Sequence, residues 1–290
     1  MKACLLALAA CGAPQQAAPA DGGVTWAPII DSHVHLSFWP VADKLAEHGV
    51  LAAVDLASPE RALADTAPIT VLHAGPMLTH PGGYPLDAWG SDGYGIGCDS
   101  AACVTAVVDR LAGEGARVVK IAMDDDGLDP ALVSAAVAAA HAHHLKVAAH
   151  ALSDASAARA AGAGVDVLAH TPVEPLSDAT VAAWRGRAVI STLAAFGGAP
   201  SAIDNLRRLR AAGVTILYGT DLGNLRDDGP SATEIQLLRD AGLDDAAITA
   251  AMTTAPARFW GLDLPTRIVV ASDPRRDASV LLRARPAAAR

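Results

Sequence analysis

The chain has 290 residues, of which 52% are hydrophobic, only 4% are aromatic and 18% are charged, and its formal net charge is −9. The high apolar content and low charge density exclude an intrinsically disordered acidic protein. No basic patch is present to neutralise phosphates, so nucleic-acid binding is not expected. The length suits one large α/β domain with a single hydrophobic core.

The first residues of the chain resemble the lipobox of bacterial lipoproteins. Lys2 precedes an apolar stretch at 3–10, and small residues lead into Cys11. The stretch is too short to span a bilayer, so it predicts a signal peptide over residues 1–10 and a lipid anchor at Cys11. Residues 11–27, rich in Ala, Pro and Gly, are predicted to form a flexible tether. We therefore expect an exported lipoprotein, periplasmic or associated with the outer membrane; the alternative is a piece of buried helix.

Short apolar runs and helical stretches alternate from residue 28 to residue 262. The runs are rich in Val and Ile and lack polar alternation, which is typical of parallel strands buried on both faces. They lie at 28–31, 50–54, 69–73, 117–122, 146–150, 165–170, 188–193 and 214–220. The helical stretches, several of which begin at a serine and end at a glycine, lie at 41–48, 59–65, 101–114, 128–144, 153–162, 176–185, 201–212 and 231–251.

Eight strand–helix units in succession predict an α/β fold of the TIM (β/α)8 barrel type over residues 28–262. A doubly wound open sheet is the alternative, but no glycine-rich phosphate-binding pattern follows the first predicted strand. Residues 263–290 are predicted to form a C-terminal β-hairpin from apolar runs at 267–270 and 278–282. Cys98 and Cys103 form a disulfide or remain two free thiols, since an exported protein permits either state.

Side chains that bind metals fall at the carboxyl ends of several predicted strands, where the active sites of TIM barrels lie. The first strand runs into His33 and His35, whose side chains, two residues apart, point the same way. The other such residues are Lys120, His150, His170 and Asp221. Because burial penalises the charged form of Lys120, we expect a neutral amine there, which can add carbon dioxide to form a carbamate that bridges two metal ions.

These residues resemble the ligands of the binuclear amidohydrolase superfamily. The segments GARVVKIAMDDDG, HHLKVAAHALSDASAARAAGAGVDVLAHT, NLRRLRAAGVTILYGTDLG and TTAPARFWGLD are most similar to the imidazolonepropionase-like group, which includes Xaa-Pro dipeptidases. Many relatives carry a longer segment before the HxH pair that completes a small β-sandwich. This chain has only its short tether there, so no full N-terminal β-sandwich is expected.

The resemblance implies two divalent metal ions, expected to be zinc, at the end of the barrel. His33, His35 and Asp221 would hold one ion, and His150 and His170 the other, with carboxylated Lys120 between them. A hydroxide bound by both ions would then attack a carbonyl carbon, and Asp221 would move its proton to the departing amine. The implied reaction is hydrolysis of an amide-type C–N bond in a dipeptide, an N-acyl amino acid or a cyclic amide.

Other residues are weaker candidates for contact with the expected small-molecule substrate. Tyr84 stands where some relatives have a histidine, and His80 lies in the same loop, which otherwise serves as a lid. Asn224 and Arg226 follow Asp221 and would bind a substrate carboxylate. Further residues have less specific predicted roles. Phe38 and Trp39 form a pocket wall or ordinary packing, residues 124–126 form a solvated turn or meet a substrate cation, and His141, His143 and His144 are surface histidines.

Alternative functions share the same site. A lactonase or phosphotriesterase would use the same hydroxide on an ester or a phosphorus centre. A mononuclear deaminase is less consistent with the chain, because it would not need Lys120 and no glutamate follows the fifth predicted strand to donate a proton. A non-catalytic exported lipoprotein would be expected to have lost ligands that this chain keeps. An oligomer is compatible with the sequence.

Overall fold

The computed structural model describes residues 23–124 and 127–288. The predicted signal peptide, the predicted lipid anchor at Cys11 and most of the predicted tether lie outside these residues, as do Asp125 and Asp126 of the predicted turn. No helix in the described part of the chain has both the length and the apolar character needed to cross a membrane.

Each of the eight apolar runs contains a strand. In chain order, the strands of the described residues are β1 Val24–Trp26, β2 Ile29–Val34, β3 Val50–Asp55, β4 Thr70–His73, β5 Met77–Thr79, β6 Gly95–Gly97, β7 Val118–Ala122, β8 Lys146–His150, β9 Val167–Leu168, β10 Ala188–Ile190, β11 Thr215–Leu217, β12 Ile268–Val270 and β13 Arg285–Pro286. Strands β5 and β6 were not predicted; they pair in parallel within the long segment that follows β4.

Helices connect most of these strands. The α-helices are α1 Ala42–Glu47, α2 Ala101–Gly113, α3 Pro130–Ala142, α4 Asp154–Gly162, α5 Asp178–Ala183, α6 Pro200–Ala211, α7 Ala232–Asp240, α8 Asp245–Met252 and α9 Thr254–Trp260. The single helix predicted at 231–251 is two helices, because the chain turns at Gly242 (φ +87°) and Asp244 caps the second helix. The helix predicted at 59–65 is a 3₁₀ helix, Glu60–Ala64.

All strands except β1, β12 and β13 form two parallel sheets, as the apolar character of the eight predicted strands indicated. One sheet has seven strands in the order β11-β10-β9-β8-β7-β5-β6, and the other has the order β2-β3-β4. Backbone hydrogen bonds join the two sheets, since Ser32 N donates to Tyr218 O at 2.9 Å and Asp221 N donates to His33 O at 2.9 Å. The result is a barrel-like α/β fold in which the first strand of the parallel sheets lies beside the last.

Apolar side chains fill the layers on both faces of the strands. Small and branched residues such as Val118, Ala148 and Ile190 pack together in one cluster, and a larger cluster lies between strands and helices. Trp184 is fully buried in the larger cluster, and its indole N–H donates to Ala157 O at 3.1 Å.

The tail differs from its prediction. Residues 278–282 were predicted as a strand, and this was wrong: Ala278–Arg283 is a 3₁₀ helix whose Ala278 and Leu281 face the core. The Asp277 side chain accepts from Ser279 N at 2.9 Å and begins the helix, so burial recurs every third residue rather than every second.

Residues from the predicted tether complete the sheet of the tail. Val24–Trp26, which was expected to be flexible, pairs antiparallel with β12, and β12 pairs with β13. The described ends of the chain therefore form one small three-stranded sheet. Elsewhere, a disulfide joins Cys98 and Cys103, the first of the two states considered.

Replacement of Trp184 tests the packing of the larger cluster. We expect Trp184→Ala to lower the free energy of unfolding by about 3–5 kcal/mol, because it leaves a cavity and removes the hydrogen bond to the carbonyl of Ala157. Trp184→Phe keeps most of the volume and should cost less, about 1–2 kcal/mol. Urea unfolding measures both values. A loss below 1 kcal/mol for the alanine variant would contradict this packing role.

Candidate metal centre

The predicted metal-binding side chains meet at the carboxyl ends of the parallel strands. They lie in β2, β7 and β8 and shortly after β2, β9 and β11. All of them are buried, with no more than 8% of any residue exposed. Together they line a cavity of about 330 Å³. These residues are His33, His35, Lys120, His150, His170 and Asp221.

His33, His35 and Asp221 form a possible metal-binding triad. The two Nε2 atoms lie 3.2 Å apart, and Asp221 Oδ1 lies 3.4 Å from His33 Nε2 and 3.1 Å from His35 Nε2. Imidazole nitrogen and carboxylate oxygen are ligands that zinc and related divalent ions prefer. The three donor atoms are therefore close enough to share one ion.

Carbonyl oxygens orient both histidines of the triad. His33 Nδ1 lies 2.8 Å from Ala169 O, and His35 Nδ1 lies 3.3 Å from Ala57 O. A carbonyl only accepts hydrogen bonds, so Nδ1 carries the proton and Nε2 presents its lone pair to the triad. Burial holds the pKa of His33 well below its usual range, which keeps this ring neutral.

Asp221 adopts a backbone conformation that is rare for a residue other than glycine, with φ +58°. Its N–H donates to His33 O at 2.9 Å, which fixes this turn beside β2. Asn224 Nδ2 lies 3.2 Å from each carboxylate oxygen.

The other three side chains lie beside the triad. The rings of His150 and His170 have centroids 4.9 Å apart, and His170 lies 4.5 Å from the ring of His33. Thr192 Oγ1 lies 3.0 Å from His170 Nδ1 and orients that ring. Burial lowers the pKa of Lys120 to about 7, which favours the neutral amine.

Asp124 is a site residue that the sequence analysis assigned to a solvated turn. Its Oδ2 lies 3.1 Å from His150 Nε2, and its side chain is only 27% exposed. Its Oδ1 accepts from Leu152 N at 2.9 Å and from Ser156 Oγ at 2.8 Å. Solvation was therefore the wrong interpretation for this residue, and its position directly after β7 was the available signal.

The predicted substrate contacts divide into two groups. Tyr84 and Asn224 line the cavity. His80 and Arg226 are exposed and do not line it, and the Arg226 guanidinium lies 5.1 Å from the centre of the Trp39 ring. Of the other histidines, His141 pairs with Asp166 and His143 with Asp109, both at the surface.

Aromatic and apolar side chains complete the cavity wall. Trp89, Phe196, Met77 and Leu152 line it together with the polar groups. Phe196 and Leu152 carried no sequence signal of a site, because each stands in a connecting segment whose path is set by tertiary packing.

Two buried carboxylates accept hydrogen bonds from the backbone around the site. Asp31 accepts from His33 N at 3.1 Å, Thr220 N at 3.1 Å and Thr220 Oγ1 at 2.6 Å. Glu234 accepts from Leu193 N at 3.0 Å and Ala194 N at 2.7 Å. Asp31 therefore fixes the backbone beside the predicted ligands His33 and Asp221, and Glu234 fixes the backbone beside Ala195 and Phe196, which line the cavity.

Comparison with known proteins shows similarity at the level of the fold. No protein family model and no curated protein matches the chain. A solved Xaa-Pro dipeptidase with methionine bound in its active site is 19% identical, with a TM-score of 0.77 over 91% of this chain and 84% of that chain. A putative prolidase from Bifidobacterium longum is 20% identical, with a TM-score of 0.72 over 90% and 78%. A. niger ochratoxinase is 18% identical, with a TM-score of 0.74 over 89% and 79%. The chain has the fold of these structures.

Glu234 makes the stability of the fold depend on pH. Burial raises its pKa from 4.5 to about 7, so the folded state retains this proton to a higher pH than the unfolded chain. The stabilisation from this group is complete below pH 4.5 and is lost as the pH rises through 7, a change of about 3 kcal/mol. We expect Glu234→Gln to remove this part of the pH dependence when urea unfolding is compared between pH 4.5 and 7.5 in the presence of a chelator.

Glu174→Gln is the matched control, because Glu174 is exposed. It should leave the pH dependence as in the wild type. If the Glu234→Gln variant loses the same stability as the wild type over this pH interval, the assignment of the buried proton to Glu234 is wrong.

Proposed function

We propose that this protein is a metal-dependent hydrolase of the amidohydrolase superfamily, built on a closed (β/α)8 barrel, that cleaves an amide-type C–N bond. The observation that supports this proposal is the convergence of six buried side chains on one cavity at the carboxyl ends of the strands. A stable core has no need of so many titratable groups together, since each is costly to bury without a partner.

The donor set fits a pair of divalent ions. We assign His33, His35 and Asp221 to one ion, because their donor atoms already lie within 3.4 Å of one another. We assign His150 and His170 to the second, with Lys120, carboxylated by carbon dioxide, contributing to both. Bound at this position, the ions would lower the pKa of a water molecule and polarise the carbonyl of a substrate.

The chain itself supplies proton transfer and orientation. Asp221 is the proposed proton carrier, since its carboxylate faces the cavity and is ionised at neutral pH. Asn224 lies against both of its oxygens and orients the carboxylate beside His33 and His35. The Tyr84 hydroxyl accepts from Trp89 Nε1 at 3.1 Å, and burial raises its pKa to about 12. The hydroxyl therefore keeps its proton and can donate it in a hydrogen bond to a substrate carbonyl.

The structural similarities agree with hydrolysis of an amide-type bond. The similar structures include a Xaa-Pro dipeptidase and a putative prolidase, and others are described as a molinate hydrolase and a phenylurea hydrolase. Their identities are too low to transfer an activity, so the proposal depends on the side chains of this chain. Release of an amine from an amide is the reaction to be measured.

Removal of Lys120 tests the metal assignment. Elemental analysis of the wild-type protein should find about two divalent ions per chain, and zinc is the expected metal. Lys120→Ala should retain at most one ion and lose about 100-fold or more of the hydrolytic activity. Lys146→Ala is the matched control, because Lys146 begins the adjacent strand, packs on Phe259 and does not line the cavity.

A substrate panel tests the reaction itself. Wild-type protein should hydrolyse at least one class among N-acyl amino acids, dipeptides, cyclic amides and aryl amides, with a loss of activity in Lys120→Ala. Turnover restricted to lactones or phosphotriesters would replace the amidase assignment with the alternative one. A wild-type protein that holds less than one ion per chain, unchanged by the substitution, would overturn the binuclear site.

We also propose that the chain is an exported lipoprotein whose anchor is Cys11. The support is the sequence of residues 1–11, in which one lysine, an apolar stretch and small residues precede the cysteine. Cys11→Ala should move the protein from the membrane fraction to the soluble fraction of bacteria that express it. Cys4→Ala is the control, because Cys4 lies in the same segment, and this variant should stay in the membrane fraction. The same distribution for Cys11→Ala and the wild type would refute the anchor.

A further inference from the structure

The cavity of the candidate metal centre has an aromatic wall, in a chain that is only 4% aromatic. Tyr84, Trp89 and Phe196 line it, and each ring contacts a different predicted metal ligand. The pairs and their centroid distances are Tyr84–His150 at 4.7 Å, Phe196–His170 at 5.0 Å and Trp89–His35 at 6.0 Å. The aromatic wall therefore lies directly against the predicted metal ligands.

This wall is held in position before any substrate arrives. The Trp89 indole N–H donates to the Tyr84 hydroxyl at 3.1 Å. Behind Trp89, Phe38 packs at a centroid distance of 5.2 Å and stacks on Tyr94 at 4.3 Å. Aromatic rings fixed in this way offer a large apolar surface with little loss of conformational entropy on binding.

The cavity offers little to a carboxylate. Among the described residues that line it, Lys120 is the only lysine or arginine, and we assign it to the metal ions. Arg226, the predicted carboxylate partner, is exposed and lies over Trp39, while Asn224 faces Asp221. Asp124, which follows β7 and lies beside His150, adds a carboxylate next to the ligand set. A substrate carboxylate that does not reach the proposed metal ions would lose water without gaining a side-chain cation among these residues, which is unfavourable.

We propose that the substrate is an uncharged amide with an aromatic group next to the scissile bond, rather than a peptide or N-acyl amino acid with a free carboxylate. This inference rests on the proposed function, whose reaction it narrows to one substrate class. A volume of about 330 Å³ suits a small molecule of this kind.

A pair of substrates that differ in charge alone tests the proposal. N-benzoylglycinamide and N-benzoylglycine share the same benzoyl group and the same scissile bond, and only the second carries a carboxylate. We expect kcat/KM for benzoate release to be at least about tenfold higher for the uncharged member. An equal value, or a preference for N-benzoylglycine, would overturn the proposal.

A cation placed in the wall should reverse this preference. Ala195 lines the cavity, whereas its neighbour Ala194 lies in the same 3₁₀ helix and does not line it. Ala195→Arg should raise kcat/KM for N-benzoylglycine relative to N-benzoylglycinamide by about tenfold, and Ala194→Arg should leave the ratio as in the wild type. If Ala195→Arg does not change this ratio, the lack of a cationic side chain is not the cause of the preference for the uncharged substrate.

Replacement of Phe196 tests whether the aromatic wall recognises an aromatic group of the substrate. Phe196→Ala should reduce the preference for N-benzoylglycinamide over N-acetylglycinamide by about fivefold or more. Phe259→Ala is the control, because Phe259 packs on Lys146 and does not line this cavity. If Phe196→Ala leaves the preference for N-benzoylglycinamide over N-acetylglycinamide unchanged, Phe196 does not contribute to recognition of an aromatic substrate.

Binding separates this proposal from the proposed function. N-benzenesulfonylglycinamide and N-benzenesulfonylglycine have nearly the same shape but different charge, and each has a sulfonyl group in place of the scissile carbonyl. Calorimetry on the wild-type protein therefore measures their affinity without cleavage at that position. At least about tenfold tighter binding of the uncharged sulfonamide supports the proposal even if no amide is hydrolysed, an outcome that would overturn only the hydrolase assignment. Tighter binding of the carboxylate would overturn the proposed selectivity and leave any measured hydrolysis standing.

Discussion

The junction between the first and last strands of the parallel sheets determines the geometry of the candidate site. Asp31 lies fully inside this junction and accepts from the backbone of His33 and from both the backbone and hydroxyl of Thr220. The N–H of Asp221 donates to His33 O in the same place. His33 and the adjacent pair Thr220 and Asp221, which follows nearly two hundred residues later in the sequence, are thereby fixed to one carboxylate and one carbonyl.

That junction explains why an unfavourable backbone conformation persists at Asp221. A positive φ is costly for a residue with a side chain unless the surrounding structure imposes it. Here the hydrogen bond to β2 and the contact of Asn224 with the carboxylate leave the turn little freedom. The same constraint brings the carboxylate against His33 and His35, so the strained turn and the triad have one cause.

Much of the site was predictable because it follows the periodicity of strands. The HxH pair, Lys120 and His150 stand within or at the ends of apolar runs, whose parallel arrangement brings carboxyl ends together. Phe196 could not be found in this way, since a connecting segment brings it to the cavity. The position of Asp124 directly after β7 was a usable signal, because it places the carboxylate beside His150. The 3₁₀ helix at Ala278–Arg283 was mistaken for a strand because a short apolar run has no period of its own, and the Asp277 cap decides between the two.

The small sheet of β1, β12 and β13 lies at the end of the fold opposite to the cavity. Strand β1 leads directly into the start of β2, and Gly49, just before β3, lies so close to Ile268 and Ala284 that a Cβ there would be 3.0 Å from each. The described chain thus enters and leaves at the amino-terminal ends of the parallel strands, whereas the cavity opens at their carboxyl ends. A partner that binds this small sheet would consequently lie away from the cavity mouth, and the approach of small molecules would remain open.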